Sequence, residues 1–273
     1  MPEQTAVSDG PSSAFVALEA GAYQATELTR GPWNPEHQHA GPPSALAAHV
    51  MARAAESLGF THIARMTVSL YRPIPIAQLN VVLETDYAGR NAGHFAAHLI
   101  ADGKEVARFT ALAQRETAVS IPAELPGHPP AAAPRSVEDS PPSRFPFSSR
   151  FIGYPDLMET RLARGTFFSG PCSVWFRLRR PLIAGETSLP IARVAVAADS
   201  GNGISSVLDF KRYMFINNDL SINLFRKPQG EWICIDARTL IGPDGCGLAE
   251  AQIFDTAGLI GRSTQSLMIR SRE

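Results

Sequence analysis

The sequence predicts an α+β fold in which one block, a long helix laid against a curved antiparallel sheet, occurs twice along 273 residues. Three landmarks recur in the same order at nearly one offset, which is the mark of an internal repeat. The matched residues are Arg72 and Arg226, Asp102 and Asp255, and Gln114 and Gln265, with separations of 154, 153 and 151. The arginines follow similar runs, Leu-Tyr-Arg-Pro and Leu-Phe-Arg-Lys-Pro. A duplicated unit of this size indicates two copies that pack together.

The first copy, assigned to residues 14–116, contains the clearer helix. Residues 44–58 are rich in alanine and place Leu46, Val50 and Ala54 at i, i+4 spacing. The prolines just before this run suit the first turn of a helix. One or two strands are predicted before the helix, within residues 14–29. Strands are predicted after it at residues 62–73, 79–88, 92–101 and 104–115.

Residues 117–165 are predicted to be a linker between the two copies. Eight prolines fall between Pro122 and Pro146, among alanine, serine and glycine. This composition is typical of a connection or a belt across the surface rather than a core element. A short helical segment is predicted near Leu157.

The second copy, assigned to residues 166–273, contains one ambiguous element. Residues 190–198 lie where the repeat requires a helix, although Val194 to Ala197 fit a strand equally well by local pattern. We follow the repeat and predict a helix. The strands predicted around it are residues 173–178, 214–226, 231–241, 246–255 and 259–270.

Composition excludes several classes of protein. The formal net charge of −1 and the absence of a basic stripe argue against binding to nucleic acid or to a membrane surface. The N-terminus lacks the basic and apolar regions of a signal peptide, and no apolar run reaches the length of a membrane span. Cys172, Cys234 and Cys246 are interpreted as buried free thiols, although Cys234 and Cys246 can also be paired on paper. We expect a cytoplasmic protein.

Two local motifs suggest ligands but lack the rest of a site. His37 and His39 form an H-x-H pair, yet no third ligand stands in register, so both are interpreted as surface-loop histidines. Gly201-Asn202-Gly203 follows a small apolar run but lacks the third glycine of a dinucleotide-binding loop. We therefore predict no metal and no organic cofactor.

Several stretches together resemble the hotdog fold in its tandem form, the double hotdog of type II acyl-CoA thioesterases and their relatives. The helix start at residues 39–46, His-Ala-Gly-Pro-Pro-Ser-Ala-Leu, resembles the small-residue beginning of the first hotdog helix. Ala197-Ala198-Asp199 resembles the aspartate-bearing end of the second helix. The other matching stretches are residues 70–73, 215–221, 224–228, 230–232 and 262–265. The resemblance covers residues 14–270 apart from the linker.

In that family an aspartate, a threonine or serine, and a glutamine hold the water that attacks the thioester. The resemblance implies that Asp199 and Gln265 carry two of these roles. The hydroxyl position falls on Asn217, and Ser221 is the nearest alternative hydroxyl on the same strand. Asp199 as a helix cap and Gln265 as a polar group between strands are the structural alternatives. We predict Asp199, Asn217 and Gln265 as the catalytic residues.

Substrate contacts are predicted at the start of the first helix and on the strand of Asn217. A helix N-terminus presents free N–H groups to a thioester carbonyl. The two prolines there lack N–H donors, so the contact falls to Gly41, Ser44 or Ala45. Asp219 shares a strand face with Asn217 by the alternation of side chains. Gly41, Ser44 and Asp219 are therefore the predicted substrate-binding residues.

The predicted function is hydrolysis of an acyl-CoA thioester, in an apolar tunnel between helix and sheet. The alternatives are a non-hydrolytic acyl-thioester binder, dehydration on the same fold, or a partner-binding module that uses the proline belt. The hydratase branch of this fold uses an aspartate and a histidine near a helix start, and the sequence shows no convincing match to it. Sheet edges that can pair with another copy predict a homodimer or a larger homo-oligomer.

Overall fold

The computed structural model describes residues 10–19, 21–122, 131–145 and 151–272. The helices are α1 (Gly41–Ser57), α2 (Tyr154–Leu157), α3 (Pro190–Ala198) and α4 (Gly201–Ser205), with a 3₁₀ helix at Glu27–Thr29. The strands of the N-terminal half are β1 (Phe15–Ala17), β2 (Ala22–Ala25), β3 (His62–Leu70), β4 (Gln78–Ala88), β5 (Ala92–Ala101) and β6 (Lys104–Gln114). The remaining strands are β7 (Pro142–Ser143), β8 (Met158–Arg164), β9 (Cys172–Leu178), β10 (Tyr213–Asn217), β11 (Asp219–Leu224), β12 (Ile233–Ile241), β13 (Cys246–Asp255) and β14 (Gly258–Ser271).

The strands of the described residues form one 14-stranded antiparallel sheet. Its order is β1-β2-β4-β5-β6-β3-β11-β14-β13-β12-β9-β8-β7, and β10 also pairs with β14. The run β4-β5-β6-β3 is repeated in reverse as β11-β14-β13-β12, and the two runs meet where β3 pairs with β11. The predicted duplication is therefore visible in the strand order.

The pairing register fixes the offset of the repeat and corrects two of its landmarks. Ser69 lies opposite Arg108 in the first copy, and Asn223 lies opposite Arg262 in the second, so both members are displaced by 154 residues. This agrees with the match of Arg72 to Arg226. It makes Ala111, not Gln114, the counterpart of Gln265, and it shifts the match of Asp102 to Asp255 by one residue. Gln114 and Gln265 agree only in residue type, not in position on the strand.

Helices α1 and α3 pack side by side in opposite directions on the sheet. The first turn of α1 meets the end of α3, where a Cβ added to Gly41 would lie 2.7 Å from the carbonyl oxygen of Val196. Further along, Leu189 contacts His49. Helix α1 contacts β3, β4, β5 and β6, while α3 contacts β9, β11 and β12.

The predicted helix at residues 190–198 is confirmed. Apart from Arg193, the residues from Ile191 to Ala198 are buried, so this helix is enclosed on nearly every side. A short and mostly apolar run cannot be distinguished from a buried strand by its periodicity alone, which explains why its local sequence also fits a strand. Helix α1 begins at Gly41, three residues before the predicted start at 44, because its prolines occupy the first turn, where no N–H is required.

The predicted linker contains more structure than its prolines suggest. The helical segment near Leu157 is confirmed as α2. Strand β8, which was not predicted, joins the sheet between β9 and β7. Residues 131–145 lie against this part of the sheet. The indole N–H of Trp175 on β9 donates to the carbonyl oxygen of Arg135, and Val137 packs against the same tryptophan. Residues 123–130 and 146–150, which hold the other predicted linker prolines, lie outside the described residues.

The structure shows which cysteines are buried and how Arg226 is paired. Cys172 and Cys234 are buried and unpaired, as predicted, whereas Cys246 is exposed, so its predicted burial is wrong. Burial raises the pKa of Cys172 to about 11. Arg226 donates to both carboxylate oxygens of the buried Asp255, at 2.5 and 2.6 Å, which gives this arginine a structural role. Within the described part of the chain, no helix has the length and apolar character needed to cross a bilayer.

Candidate active site

The junction between α3 and α4 positions Asp199. This residue ends α3 with helical backbone angles, and its side chain is only 5% exposed. A carboxylate at the C-terminal end of a helix faces the negative end of the helix dipole, which is electrostatically unfavourable. The first turn of α1, with its positive end, packs against the same place and offsets part of that cost. The negative charge of Asp199 must therefore be stabilised by groups outside its own helix.

The predicted catalytic residues converge on this carboxylate. The Asn217 side-chain amide donates to Asp199 Oδ1 over 2.9 Å. The Gln265 amide donates to the carbonyl oxygen of Asp199 over 3.2 Å and approaches Oδ1 at 3.4 Å. The Gln265 Oε1 accepts the backbone N–H of Asn202 over 2.9 Å. Gln265 thus ties the end of α3 to the start of α4, and Asn217 bonds the carboxylate itself.

His39 completes the group, and the sequence-based interpretation missed it. Its Nδ1 lies 2.9 Å from Asp199 Oδ2, and its side chain is 17% exposed. The interpretation of His39 as a surface-loop histidine is therefore wrong. The two residues are 160 positions apart in sequence, so no local spacing reveals the pair. The sequence feature that could have indicated a role for His39 was its position, two residues before the first residue of α1.

A second donor competes for the same nitrogen. The N–H of Gly41 points at His39 Nδ1 over 3.0 Å. The neutral imidazole nitrogen carries either a proton or a lone pair, so Nδ1 cannot donate to Asp199 and accept from Gly41 at once. Only one of the two contacts is therefore a hydrogen bond while the imidazole is neutral.

Tyr154 supports both His39 and the end of α3. Its ring stacks on the imidazole of His39, with centroids 4.0 Å apart and planes 4° from parallel. Its hydroxyl donates to the carbonyl oxygen of Val196 over 2.8 Å and lies 2.9 Å from Ser200 Oγ. Burial raises the pKa of Tyr154 above its ordinary value, so the side chain remains an uncharged phenol.

A cavity of about 520 Å³ opens onto these residues. His39, Asp199 and Asn217 form part of its wall. Aromatic side chains form another part, and three arginines line it as well. These lining residues are Trp33, Phe145, Tyr154, Phe168 and Phe215, with Arg30, Arg72 and Arg272. The cavity thus combines an apolar wall, positive charge and one carboxylate.

The predicted substrate contacts Gly41, Ser44 and Asp219 are not among the residues that line this cavity. Ser44 is buried within α1, and its N–H donates to the carbonyl oxygen of Ala40. Asp219 accepts the backbone N–H of Ser266 over 2.5 Å. An extra residue separates the register of β10 from that of β11, because Asn217 lies opposite Leu267 whereas Ser221 lies opposite Thr264. This bulge breaks the strand alternation on which the shared face of Asn217 and Asp219 was predicted.

Two family models match the chain, and together they cover most of it. The model of the acyl-CoA thioesterase N-terminal domain matches residues 29–114, and that of the C-terminal domain matches residues 126–269. The chain belongs to the acyl-CoA thioesterase family. It is accordingly a thioester hydrolase. No curated protein matches the sequence.

Solved structures share the fold of this thioesterase over nearly its whole length. A putative thioesterase II from Thermobifida fusca is 13% identical with a TM-score of 0.71, covering 95% of this chain and 96% of that one. A hot dog fold protein of unknown function from Alicyclobacillus acidocaldarius is 18% identical with a TM-score of 0.68, covering 96% and 97%. An acyl-CoA thioesterase II from Mycobacterium marinum is 16% identical with a TM-score of 0.61, covering 95% of each chain. At these identities the likeness concerns the fold.

The described residues of the thioesterase contain no group of three or more histidine, cysteine, aspartate or glutamate side chains that can hold a metal ion. His37 lines the cavity near His39, but only His39 contacts a carboxylate there. The chemistry available at this wall is therefore that of the Asp199 carboxylate, the His39 imidazole and the Asn217 amide. The Gln265 amide and the N–H of Gly41 contact these groups without lining the cavity.

Proposed function

We propose that this thioesterase hydrolyses an acyl-CoA thioester to the free acid and CoA, with a water made nucleophilic by the Asp199 carboxylate. The observation that carries the proposal is the convergence of Asn217 and Gln265 on Asp199 at the wall of one cavity. The architecture fits a double hotdog in which the copies at residues 14–116 and 166–273 each lay a helix against the shared sheet. Residues 117–165 connect them.

Asn217 performs the task of the family's hydroxyl residue in a different way. Its amide nitrogen donates to Asp199, as a hydroxyl would. Its amide oxygen remains able to accept a hydrogen bond from the attacking water. Gln265 is fully engaged with backbone groups around Asp199, so its part is to hold the carboxylate rather than to touch the water.

The backbone N–H of Gly41 polarises the thioester carbonyl. It belongs to the first turn of α1, whose N–H groups have no partners within the helix, and its nitrogen lies 3.0 Å from His39 Nδ1. A donor placed where negative charge develops lowers the barrier of acyl transfer. The N–H of Ser44 is already bonded to the carbonyl oxygen of Ala40, which leaves Gly41 as the better candidate of the two.

The cavity wall suggests how the two ends of the substrate bind. The acyl group lies against the apolar surface formed by Trp33, Phe168 and Phe215. Arg72 and Arg272 on the same cavity meet the phosphates of CoA, since guanidinium groups suit phosphate oxygens. This arrangement supports a CoA thioester as substrate.

Release of free thiol from a panel of short, medium, long-chain and aromatic acyl-CoAs tests the proposal. Wild type is compared with Asp199→Ala and Gln265→Ala after circular dichroism has confirmed that both variants fold. We expect wild-type turnover on at least one substrate and its loss in Asp199→Ala. Tight binding of acyl-CoA with no thiol released from any substrate would overturn hydrolysis and leave a non-hydrolytic binder.

Dehydration of a 3-hydroxyacyl thioester is a second candidate, because one observation favours it. The pair of His39 and Asp199 beside the start of α1 is the kind of pair that the hydratase branch of the fold uses, and it escaped the sequence-based search. Incubation with 3-hydroxyacyl-CoA separates the two functions. Formation of the enoyl thioester without thiol release indicates dehydration, and thiol release without an enoyl product indicates hydrolysis.

The proposal retains a cytoplasmic homodimer or larger homo-oligomer. The outer edge of β1 already bonds residues 182–184, whereas β7 ends the sheet on the other side and offers backbone groups to a second copy. Light scattering of the purified protein measures the assembly directly, and a monomer at all accessible concentrations would refute this part.

A further inference from the structure

We propose that His39 is the general base of the reaction and that Asp199 acts through it. In this mechanism the Nε2 atom of His39 takes the proton from the attacking water. The inference rests on the proposed hydrolysis and assigns the proton transfer to a residue outside the aspartate, hydroxyl and glutamine set. If the proton between His39 and Asp199 lies on Nδ1 of His39, then Nε2 is unprotonated and can accept a proton from water.

The proton between His39 and Asp199 must reside on Nδ1. If Nδ1 carried a lone pair, that lone pair would face the Asp199 Oδ2 at 2.9 Å, and two acceptors at this distance repel. A proton on Nδ1 turns the contact into a charge-assisted hydrogen bond of ordinary length. The competing contact from the Gly41 N–H is then lost as a hydrogen bond.

A neutral His39 protonated on Nδ1 has its lone pair on Nε2. Within the described part of the chain, no group forms a hydrogen bond with Nε2, although Nδ1 has two close neighbours. His39 also lines the cavity, and Nε2 is at the edge of the ring opposite Asp199. Stacking on Tyr154 holds the ring plane. The imidazole is thus oriented at one nitrogen and open at the other, which is what a general base requires.

Asp199 has too many partners to be the better base. Its Oδ1 accepts from Asn217 and lies near the Gln265 amide, while its Oδ2 meets His39. Each of these contacts occupies a lone pair of the carboxylate that could otherwise accept a hydrogen bond from the attacking water. A carboxylate held in this way orients the imidazole and stabilises the imidazolium that forms. That role is consistent with the three residues that surround it.

The steps balance without any further reactant. The water oxygen attacks the thioester carbonyl carbon as one of its protons moves to Nε2, which gives an oxyanion on the carbonyl oxygen and an imidazolium. The oxyanion reforms the carbonyl, the C–S bond breaks, and the electron pair leaves on the sulfur. The thiolate of CoA takes the proton from Nε2. The free acid is released, and His39 returns to its neutral form.

His39→Asn tests the assignment, because asparagine keeps a donor near the position of Nδ1 and removes the base at Nε2. We expect kcat to fall by about 10²–10⁴ with little change in KM. His94→Asn is the control: it changes a histidine at an exposed position on β5, outside the cavity, and should retain wild-type kcat. His39→Ala, assayed with added imidazole, should regain part of the lost turnover, which a purely structural histidine would not permit.

The pH dependence gives an independent readout. In wild type, kcat/KM should fall towards acid pH as the base is protonated, and in His39→Asn this fall should disappear from the residual activity. The titratable or charged groups around the ring are Asp199 at the end of α3, Tyr154 of α2, His37 of the same loop, and Arg30, Arg72 and Arg272 of the cavity wall. The His37→Asn profile controls for the other histidine.

The outcomes separate the two proposals. Wild-type kcat in His39→Asn, together with an inactive Asp199→Asn, would overturn the role of His39 and leave Asp199-dependent hydrolysis intact. Wild-type protein that releases no thiol from any substrate defeats the proposed function itself. If His39→Asn folds poorly, the imidazole experiment on His39→Ala decides the question, and the absence of rescue in a folded protein counts against the base.

Discussion

Two histidine and carboxylate pairs lie at opposite ends of the α1 and α3 helix pair, and they use their nitrogen atoms differently. At one end His39 Nδ1 meets Asp199, and Nε2 has no hydrogen-bond partner among the described residues. At the other end His49 Nε2 lies 3.1 Å from Glu186 Oε2, and its Nδ1 accepts the N–H of Leu189 over 3.4 Å. A histidine with both nitrogens bonded to the protein has no atom left for a substrate. The second pair is therefore structural.

The surroundings of the two pairs reinforce the contrast. The carboxylate of Glu186 is 29% exposed and also accepts from Arg53 over 2.8 Å. That of Asp199 is 5% exposed and has amide donors instead of a cation. Burial lowers the pKa of His49, against the opposing effect of Glu186, so this imidazole remains neutral. The two pairs contain similar residues. They differ in whether the second histidine nitrogen is bonded to the protein and in whether the histidine lines a cavity.

Loss of charge at the two carboxylates should give the largest difference. Asp199→Asn removes the group that orients and stabilises the imidazolium, and we expect kcat/KM to fall by about 10²–10⁴. Glu186→Gln leaves the cavity untouched and should retain activity within about twofold. Thiol-release assays on both variants at one pH make the measurement. Equal losses in the two variants would show that the pairs do not differ in function.

Gln265 should affect both stability and activity, because it connects the carboxylate to the fold. Gln265→Leu leaves the buried N–H of Asn202 without its acceptor, at a cost of about 1–3 kcal/mol. It also frees the end of α3, so kcat should fall while the protein still folds. Urea unfolding measures the first effect and thiol release the second.

The control for this variant is Gln252→Leu on the neighbouring strand β13, where the side chain is only partly buried. It should change neither the free energy of unfolding nor kcat by a comparable amount. A stable and fully active Gln265→Leu would show that the junction does not require this amide.

Replacement of His49 should reduce stability alone. His49→Leu keeps a similar volume but leaves the N–H of Leu189 and the carboxylate of Glu186 without this partner. We expect a loss of about 1–2 kcal/mol in the free energy of unfolding and unchanged kcat and KM. A clear loss of kcat in a folded His49→Leu protein would show that the His49 and Glu186 pair is not purely structural.

Much of the fold could be predicted from the sequence because the same pattern of elements occurs twice, so that each copy supports the assignment of the other. The meander after each helix, the helix at residues 190–198 and the position of Asp199 at its end all follow from one repeated pattern. Strand β8 has no such support, because it lies next to a proline-rich stretch. Its membership in the sheet depends on pairing with β9, which is a long-range contact rather than a local propensity.

The candidate site could be predicted only in part. Asp199, Asn217 and Gln265 were found because the family resemblance assigns them roles. His39 was missed because its partner is set by the packing of α1 against α3, which no local spacing encodes. Asp219 does not line the cavity beside Asn217, and the bulge between β10 and β11 shifts the alternation on which that prediction depended by one residue. Both differences arise from tertiary packing and from strand irregularity.

The smallest expected effect is the pH dependence of stability at the structural pair. The pKa of His49 lies below its ordinary value of 6.5 in the folded protein, so the unfolded chain binds a proton first as the pH falls. The contribution of the neutral imidazole is therefore complete above the unfolded pKa and is lost as the pH falls towards the folded pKa. The melting temperature of wild type should decline between about pH 7 and pH 5. His49→Leu should show a shallower decline, and His94→Gln, at an exposed position on β5, should match wild type. An identical slope in wild type and His49→Leu would mean that other groups control the acid limit of stability.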